Sequence, residues 1–279
     1  MKRHFLLLAM LCPALCSLAQ TDSTAGSAGR NAKDDTLHVG NLLIVKDGPQ
    51  DEDSLHFHRH RYYRHGWHES KNISTNWLVL DLGLSNFSDK TDYASTAAQQ
   101  FAPGATADWF HLRTIKSVNV NIWLFMQKIN LVHHVVNLKY GLGIELNNYR
   151  YTENIKYLTN PTRVIMDTIS YNKNKLAADY FTVPFMLNFN FMPHRRDGLG
   201  LSIGASAGYK YSSRQKLRND QTGKHKTFDD FDMEPVKISW IGELGLGPVR
   251  LYGSYATKSM FKKGLDQTPY TLGLRFSNW

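Results

Sequence analysis

The chain has 279 residues, with 33 Lys or Arg against 24 Asp or Glu and a formal charge of +9. Its two cysteines, Cys12 and Cys16, fall in the first 19 residues, so the remainder has no thiol for disulfides, nucleophilic catalysis or a Cys-based zinc site. Mean hydropathy is negative, which ordinarily marks a soluble chain, but a sheet with only every second residue facing lipid hides from that measure.

Residues 1–19 read as an export signal: Lys2 and Arg3 give a positive start, Phe5 to Leu15 an apolar stretch, and Ser17-Leu18-Ala19 a small-x-small cleavage site before Gln20. Leu11 and Leu15 stand where a lipoprotein needs a small residue before its acceptor cysteine, which argues against lipidation. Without Lys2 and Arg3 the charge of +9 becomes +7. No nucleic-acid motif accompanies it and export argues against that partner, so the surplus is read as contact with anionic lipid headgroups.

Residues 20–75 are expected to form a flexible periplasmic extension. The first part, 20–35, is rich in Ser, Thr, Ala, Gly, Asn and Asp, and a short β-like piece follows in 36–48. An acidic patch, Asp51-Glu52-Asp53, then leads into a His-rich basic segment, 56–68. In an extended strand His56, His58 and His60 project to one side, and imidazoles suit a divalent transition metal. Against that, Arg59, Arg61, Arg64 and Lys71 repel cations, and a short His-rich tract is a compositional signal only. A basic, aromatic tether against the membrane surface or a periplasmic partner is the competing reading. No cofactor is expected.

From residue 76 to 279 the pattern becomes regular alternation, which predicts an all-β fold: an eight-stranded antiparallel transmembrane β-barrel. The first strand, about 76–87, sets Leu78, Leu80, Leu82 and Leu84 against Val79, Asp81, Gly83 and Ser85. The second, about 115–127, sets Val118, Val120, Ile122, Leu124 and Met126 against Asn119, Asn121, Trp123 and Phe125. The third, about 134–151, is the cleanest, with Leu138, Tyr140, Leu142, Ile144 and Leu146 opposite Asn137, Lys139, Gly141, Gly143, Glu145 and Asn147. The fourth (about 175–191) and fifth (about 198–213) continue the alternation. The sixth (about 233–246), seventh (about 248–259) and eighth (Tyr270 to Trp279) complete the set.

Connection lengths give an independent sign. Long links are expected around 88–114, 152–174, 214–232 and 260–267, and short ones at Lys128–His133, Met192–Asp197 and Gly245–Pro248. Short periplasmic turns and long extracellular loops are the asymmetry of outer-membrane barrels. A two-residue turn at Leu246-Gly247 would pair Glu243 with Arg250 and Trp240 with Gly253. Closing the first strand on the last, with Trp77 opposite Trp279, would set Asp81 opposite Arg275.

The inward face then carries Asp81, Lys139, Glu145, Lys210, Lys237, Glu243, Arg250, Lys258 and Arg275. An eight-stranded barrel is narrow enough for side chains to fill, and buried charges must be paired. These residues therefore read as interior charge pairs rather than as a conducting pore or a catalytic site. No histidine falls in a spanning part of a strand, and only His111 and His225, both in predicted loops, approach the outer rim, so no enzyme is expected.

The stretches Asn72-Ile73-Ser74-Thr75-Asn76-Trp77, Ser117 to Trp123, Leu138 to Gly143 with Glu145 to Tyr149, Asn174 to Tyr180 and Gly242 to Pro248 resemble the outer-membrane β-barrel proteins of Bacteroidota (PorT-like family). The likeness spans most of 35–279. It implies a small barrel in the cell outer membrane with an N-terminal periplasmic extension and no shared catalytic residues; some relatives are linked to protein secretion. The His-rich segment departs from that pattern. The expected role is a binding or scaffold module in contact with outer-membrane lipid. The alternatives are a secretion or envelope-assembly component docking periplasmic partners through 36–75, and a surface-binding barrel working through the 88–114 and 152–174 loops.

Overall fold

The computed structural model describes residues 36–39, 42–45 and 71–277, apart from 194–197, 222 and 248. The expected signal, the His-rich segment 56–68 and Trp279 lie outside the described residues. The chain divides into two units, Met1–His65 and Gly66–Trp279.

In the first unit β1 (Thr36–Val39) pairs antiparallel with β2 (Leu42–Val45). The second unit carries β3 (Ile73–Asp89), β4 (Val118–Val132), β5 (Val136–Tyr151), β6 (Ile155–Thr159), β7 (Thr162–Met166) and β8 (Lys173–Asn190). It continues with β9 (Leu199–Asn219), β10 (Gly223–Phe228), β11 (Val236–Leu246), β12 (Val249–Ala256) and β13 (Gln267–Phe276). The ring runs β3-β4-β5-β8-β9-β11-β12-β13 and returns to β3, antiparallel throughout. Eight strands thus close on themselves and leave no open edge in the wall. The hairpin β6–β7 stands apart from the ring, and β10 adds to the outer end of β9.

Alternation sorts the two faces. Leu82, Leu84, Phe181, Val183, Phe185, Leu187, Ile203, Trp240 and Leu272 are exposed on the outside, while Asp81, Asn119, Lys139, Asn147, Thr182 and Glu243 are buried inside. An apolar exterior around a polar interior inverts the water-soluble arrangement and is what a hydrocarbon surround requires. The second unit is a closed all-β barrel with the face pattern of a membrane-spanning one.

One irregular residue and two bulges correct the simple alternation. In β3, Leu78 takes φ +55° and is skipped in the pairing, so Trp77 and Leu78 are both exposed. In β4 the register shifts between Trp123 and Phe125. The inward series therefore passes from Trp123 to Met126, which is wholly buried, although strict alternation places Met126 outside and Phe125 inside. In β9, Lys210 faces Tyr180 and Ser212 faces Asp179, leaving Tyr211 as the extra residue. A bulge adds one unpaired residue and re-aims those beyond it. Here it turns Ser213, Gln215 and Leu217 inward.

The β11–β12 hairpin is also corrected. Leu246 pairs with Val249, Gly247 takes the turn at φ +68°, and Glu243 faces Tyr252 rather than Arg250. Trp240 faces Tyr255, so it does not cover Gly253. The register moves by two residues, and because side chains repeat every two, every residue keeps its face. Across the closing seam, Arg275 faces Asp81.

The long connections fold back onto the outer end of the barrel. Residues 90–117 hold α1 (Thr96–Phe101), started by Ser95 accepting from the Ala98 N–H, and two 3-10 turns, Ala107–Phe110 and Thr114–Lys116. Phe101, Phe110, Tyr157, Phe231 and Phe261 from these connections join Tyr149, Tyr151, Leu176 and Tyr180 of the wall in one buried apolar cluster. Tyr157 stands 5.5 Å from Phe231 and 6.2 Å from Phe261, ring to ring. The connections form a cap with its own core.

Candidate functional site

Below the cap, polar side chains from six of the ring strands converge. Arg275 donates from Nε to Asp81 Oδ1 (2.7 Å) and from Nη2 to Asp81 Oδ2 (2.8 Å), and its Nη1 donates to Glu243 Oε2 (2.6 Å). Lys139 Nζ lies 2.8 Å from both Glu243 oxygens, and Arg250 Nη1 lies 3.2 Å from Oε1. Glu243 therefore has three cations around it. Asp81 also accepts from Trp123 Nε1 (2.7 Å) and Asn121 Nδ2 (3.1 Å). Glu145 pairs with Lys237 and accepts from Asn147 Nδ2 at 3.0 Å. Lys139 and Glu145 come from one strand but find their partners on another, β11.

Two inward charges read from the sequence behave otherwise. Lys258 is exposed, because β12 ends at Ala256 and the alternation does not reach it. Lys210 has a buried side chain but serves the cap: it pairs with Asp230 and donates to the Met233 carbonyl at 3.0 Å.

Other parts of the network escape a charge-based reading. Asn119 Nδ2 donates to Asn147 Oδ1 (2.9 Å) and Asn121 Oδ1 (3.0 Å), and Tyr252 donates to Asn119 Oδ1. Gln215 is 1% exposed and ties the cap to the wall: its Nε2 donates to the Ile155 carbonyl and Asn174 Oδ1, each at 3.0 Å, and its Oε1 accepts from the Tyr157 N–H. The signal for Asn119, Asn121 and Asn147 was present, as polar residues at every second position of apolar strands.

What the interior can do chemically is bounded by its filling. A cavity of about 20 Å³ lined by Asn121, Trp123, Glu145, Tyr252 and Arg275 holds about one water. The charged groups around it are engaged with one another. His111 and Asp108 are both exposed on the cap, 3.8 Å apart, and His225 lies in β10 rather than in a loop. Among the described residues no group of three His, Cys, Asp or Glu is arranged to hold a metal; His56, His58 and His60 are outside them.

A family model described as "Outer membrane protein beta-barrel domain" matches residues 109–260, more than half of the chain. No curated protein matches. Among solved structures, one titled "Asymmetric conductivity of engineered proteins" aligns over 74% of this chain and 99% of its own, at 9% identity and a TM-score of 0.17. That likeness is too slight to bear on the fold.

Proposed function

The chain belongs to the outer membrane protein β-barrel domain family, and from that premise we propose that it is a binding or scaffold module of the outer membrane, without catalysis of its own. The observation that carries this reading is the pairing of a filled lumen with an ordered cap. Lys139, Glu243, Asp81 and Arg275 occupy the interior against one another. The long connections, instead of leaving a mouth open, build a surface on their own aromatic core. A barrel of this kind presents a rigid outer face and anchors it in lipid.

The second reading is a component of secretion or envelope assembly that docks periplasmic partners through 36–75. The β1–β2 hairpin favours it, since strands of four residues are too short to be stable alone in water and need a surface to complete them. The PorT-like resemblance belongs with this reading.

Photo-cross-linkers at Asp108 and Lys263 on the cap, and at Asn72 at the start of β3, separate the two in native outer membranes. A partner captured from the cap and kept when residues 36–68 are deleted supports the binding module. Capture only from Asn72, lost with the deletion, supports docking through the extension. No captured protein at either end removes both.

A further inference from the structure

The outer ends of β8, β9 and β10 carry a grid of cations on one face. Lys173 faces Arg218, and Arg218 faces Lys224. Two residues along, Arg150 of β5 faces Lys175, Lys175 faces Lys216, and Lys216 faces Lys226. Like charges directly opposite in a sheet destabilise it, and here two adjacent rows are cationic throughout. The intervening residues Asn174, Leu176, Gln215 and Leu217 point the other way and are buried toward the cap. The cations therefore stand on the same side of β8 as Phe181, Val183 and Phe185, the face bare to lipid lower down.

Local partners satisfy part of this face. Arg214 pairs with Asp179, Lys175 Nζ donates to Asn148 Oδ1 (2.6 Å), and Arg150 Nη2 donates to the Asn172 carbonyl (2.7 Å). Asp220 near the tip accepts from Asn172 at 2.7 Å. Among the described residues, Lys173, Lys216, Arg218, Lys224 and Lys226 have no carboxylate within ion-pair distance. Beside them Phe228 is 63% exposed on the same face, level with Arg214.

Height identifies the occupant. Lys175 lies six residues above Phe181, which at about 3.3 Å per residue and a strand tilt near 40° is roughly 15 Å above the apolar band. At that level the wall is flanked by the saccharide and phosphate layer of the outer leaflet, and the grid faces it sideways. An exposed aromatic beside Lys and Arg is also the composition of a membrane interface.

We propose that the outward face of β8, β9 and β10 binds the phosphate-bearing headgroups of outer-leaflet glycolipid, with Lys173, Lys175, Lys216, Arg218, Lys224 and Lys226 supplying the charge. Ammonium and guanidinium groups bond phosphate oxygens strongly, and bound anions relieve the repulsion between the rows. This lateral contact is separate from whatever the cap binds and holds whichever reading of the function is correct.

The test extracts the full chain from outer membranes in mild detergent and measures retained phosphoglycolipid by native mass spectrometry. The variant K216Q/R218Q/K224Q/K226Q touches neither lumen nor cap core, and its folding is checked by heat-modifiable gel migration. Retention should fall about tenfold or more. K224Q/K226Q, confined to the edge strand β10, should give an intermediate loss and serves if the fourfold variant does not fold. Wild-type chain in nanodiscs should prefer intact glycolipid to the same lipid with its phosphates removed. Equal retention by wild type and variants overturns the proposal. So does equal binding of the two lipids, or capture of a soluble sulfated polysaccharide or inorganic phosphate in preference to the glycolipid.

Discussion

Arg275 on the last strand and Asp81 on the first face each other across the seam that closes the barrel, and the guanidinium grips the carboxylate through bonds of 2.7 and 2.8 Å. The two residues are 194 positions apart, so the contact exists only once the ring has closed. The third arm of the same guanidinium reaches Glu243 on β11. Closure of the wall and assembly of the interior network are therefore one event, with Arg275 belonging to both.

Replacing Arg275 by Met should leave Asp81 with no cation and Glu243 with one fewer, at a cost of about 3–5 kcal/mol for a broken buried pair. Arg275→Lys should fall between, since an ammonium keeps the charge but loses the fork that spans both carboxylate oxygens. Adding Asp81→Asn to Arg275→Met should recover part of the loss. Urea midpoints for folding into lipid vesicles give the order; an undiminished midpoint for Arg275→Met would show that the seam does not need the clamp.

Gly83 and Gly273 face each other two residues from that pair toward the outer end of the barrel, on the same inward face, and the Tyr252 ring lies over both. A Cβ on Gly273 would come within 2.3 Å of the Leu82 carbonyl oxygen and 2.4 Å of the Gly83 Cα, neither of which can yield without moving the wall. Gly273→Ala is therefore expected to cost about 1–3 kcal/mol by overpacking. Gly245→Ala is the contrast, because its Cβ would meet the end of the Arg250 side chain at 3.4 Å and the Gly200 backbone at 3.5 and 3.7 Å, all ordinary contact distances, and it should be nearly neutral in the same titration.

Leu142, partly exposed on the outer face of β5, tests the membrane assignment. Leu142→Arg should cost about 2–4 kcal/mol if the position lies near the bilayer midplane. Lys258→Gln, on an exposed residue beyond β12, should change the same folding equilibrium by less than about 0.5 kcal/mol. Equal midpoints for the two variants would place Leu142 in water.

The wall was legible because lipid outside and charge inside make alternation unusually clean, as in the run from Leu138 to Asn147. The seam register was legible too, since opposite charges were needed at Asp81 and Arg275. The β11–β12 turn was not, because a slip of two residues returns every side chain to its face and leaves Glu243 and Arg250 diagonal neighbours still 3.2 Å apart. The irregular backbone at Leu78 and the bulges at Leu124 and Tyr211 carry no local mark, so Met126 looked like one more lipid-facing residue. Hardest to read was the cap. Its β6–β7 hairpin and α1 are short, and Tyr157, Phe231 and Phe261 become a core only when three separate connections meet over the barrel.

One cap contact gives a pH window with two edges. Tyr171 Oη donates to Asp167 Oδ2 at 2.6 Å just after β7, and the carboxylate also accepts from the Ile169 N–H at 3.2 Å, with Lys156 3.8 Å away. Burial and then the bond to Asp167 push the Tyr171 hydroxyl up to about 12. Burial alone would raise Asp167, but the bonds from Tyr171 and Ile169 and the charge of Lys156 outweigh it and hold the carboxyl below its ordinary value. For Tyr171, raised in the folded state, the stabilisation is complete below about 10 and is lost as pH rises through about 12. For Asp167, lowered in the folded state, it is complete above the ordinary carboxylate range and is lost as pH falls through the depressed value. The hairpin should therefore hold firmly across the neutral range and loosen at both extremes. Tyrosinate absorbance near 295 nm should lose one high-pH titration in Tyr171→Phe, and the carbon-13 shift of the Asp167 carboxyl should then titrate closer to its ordinary range. An unmoved Asp167 titration in that variant would mean the hydroxyl bond does not hold the carboxylate.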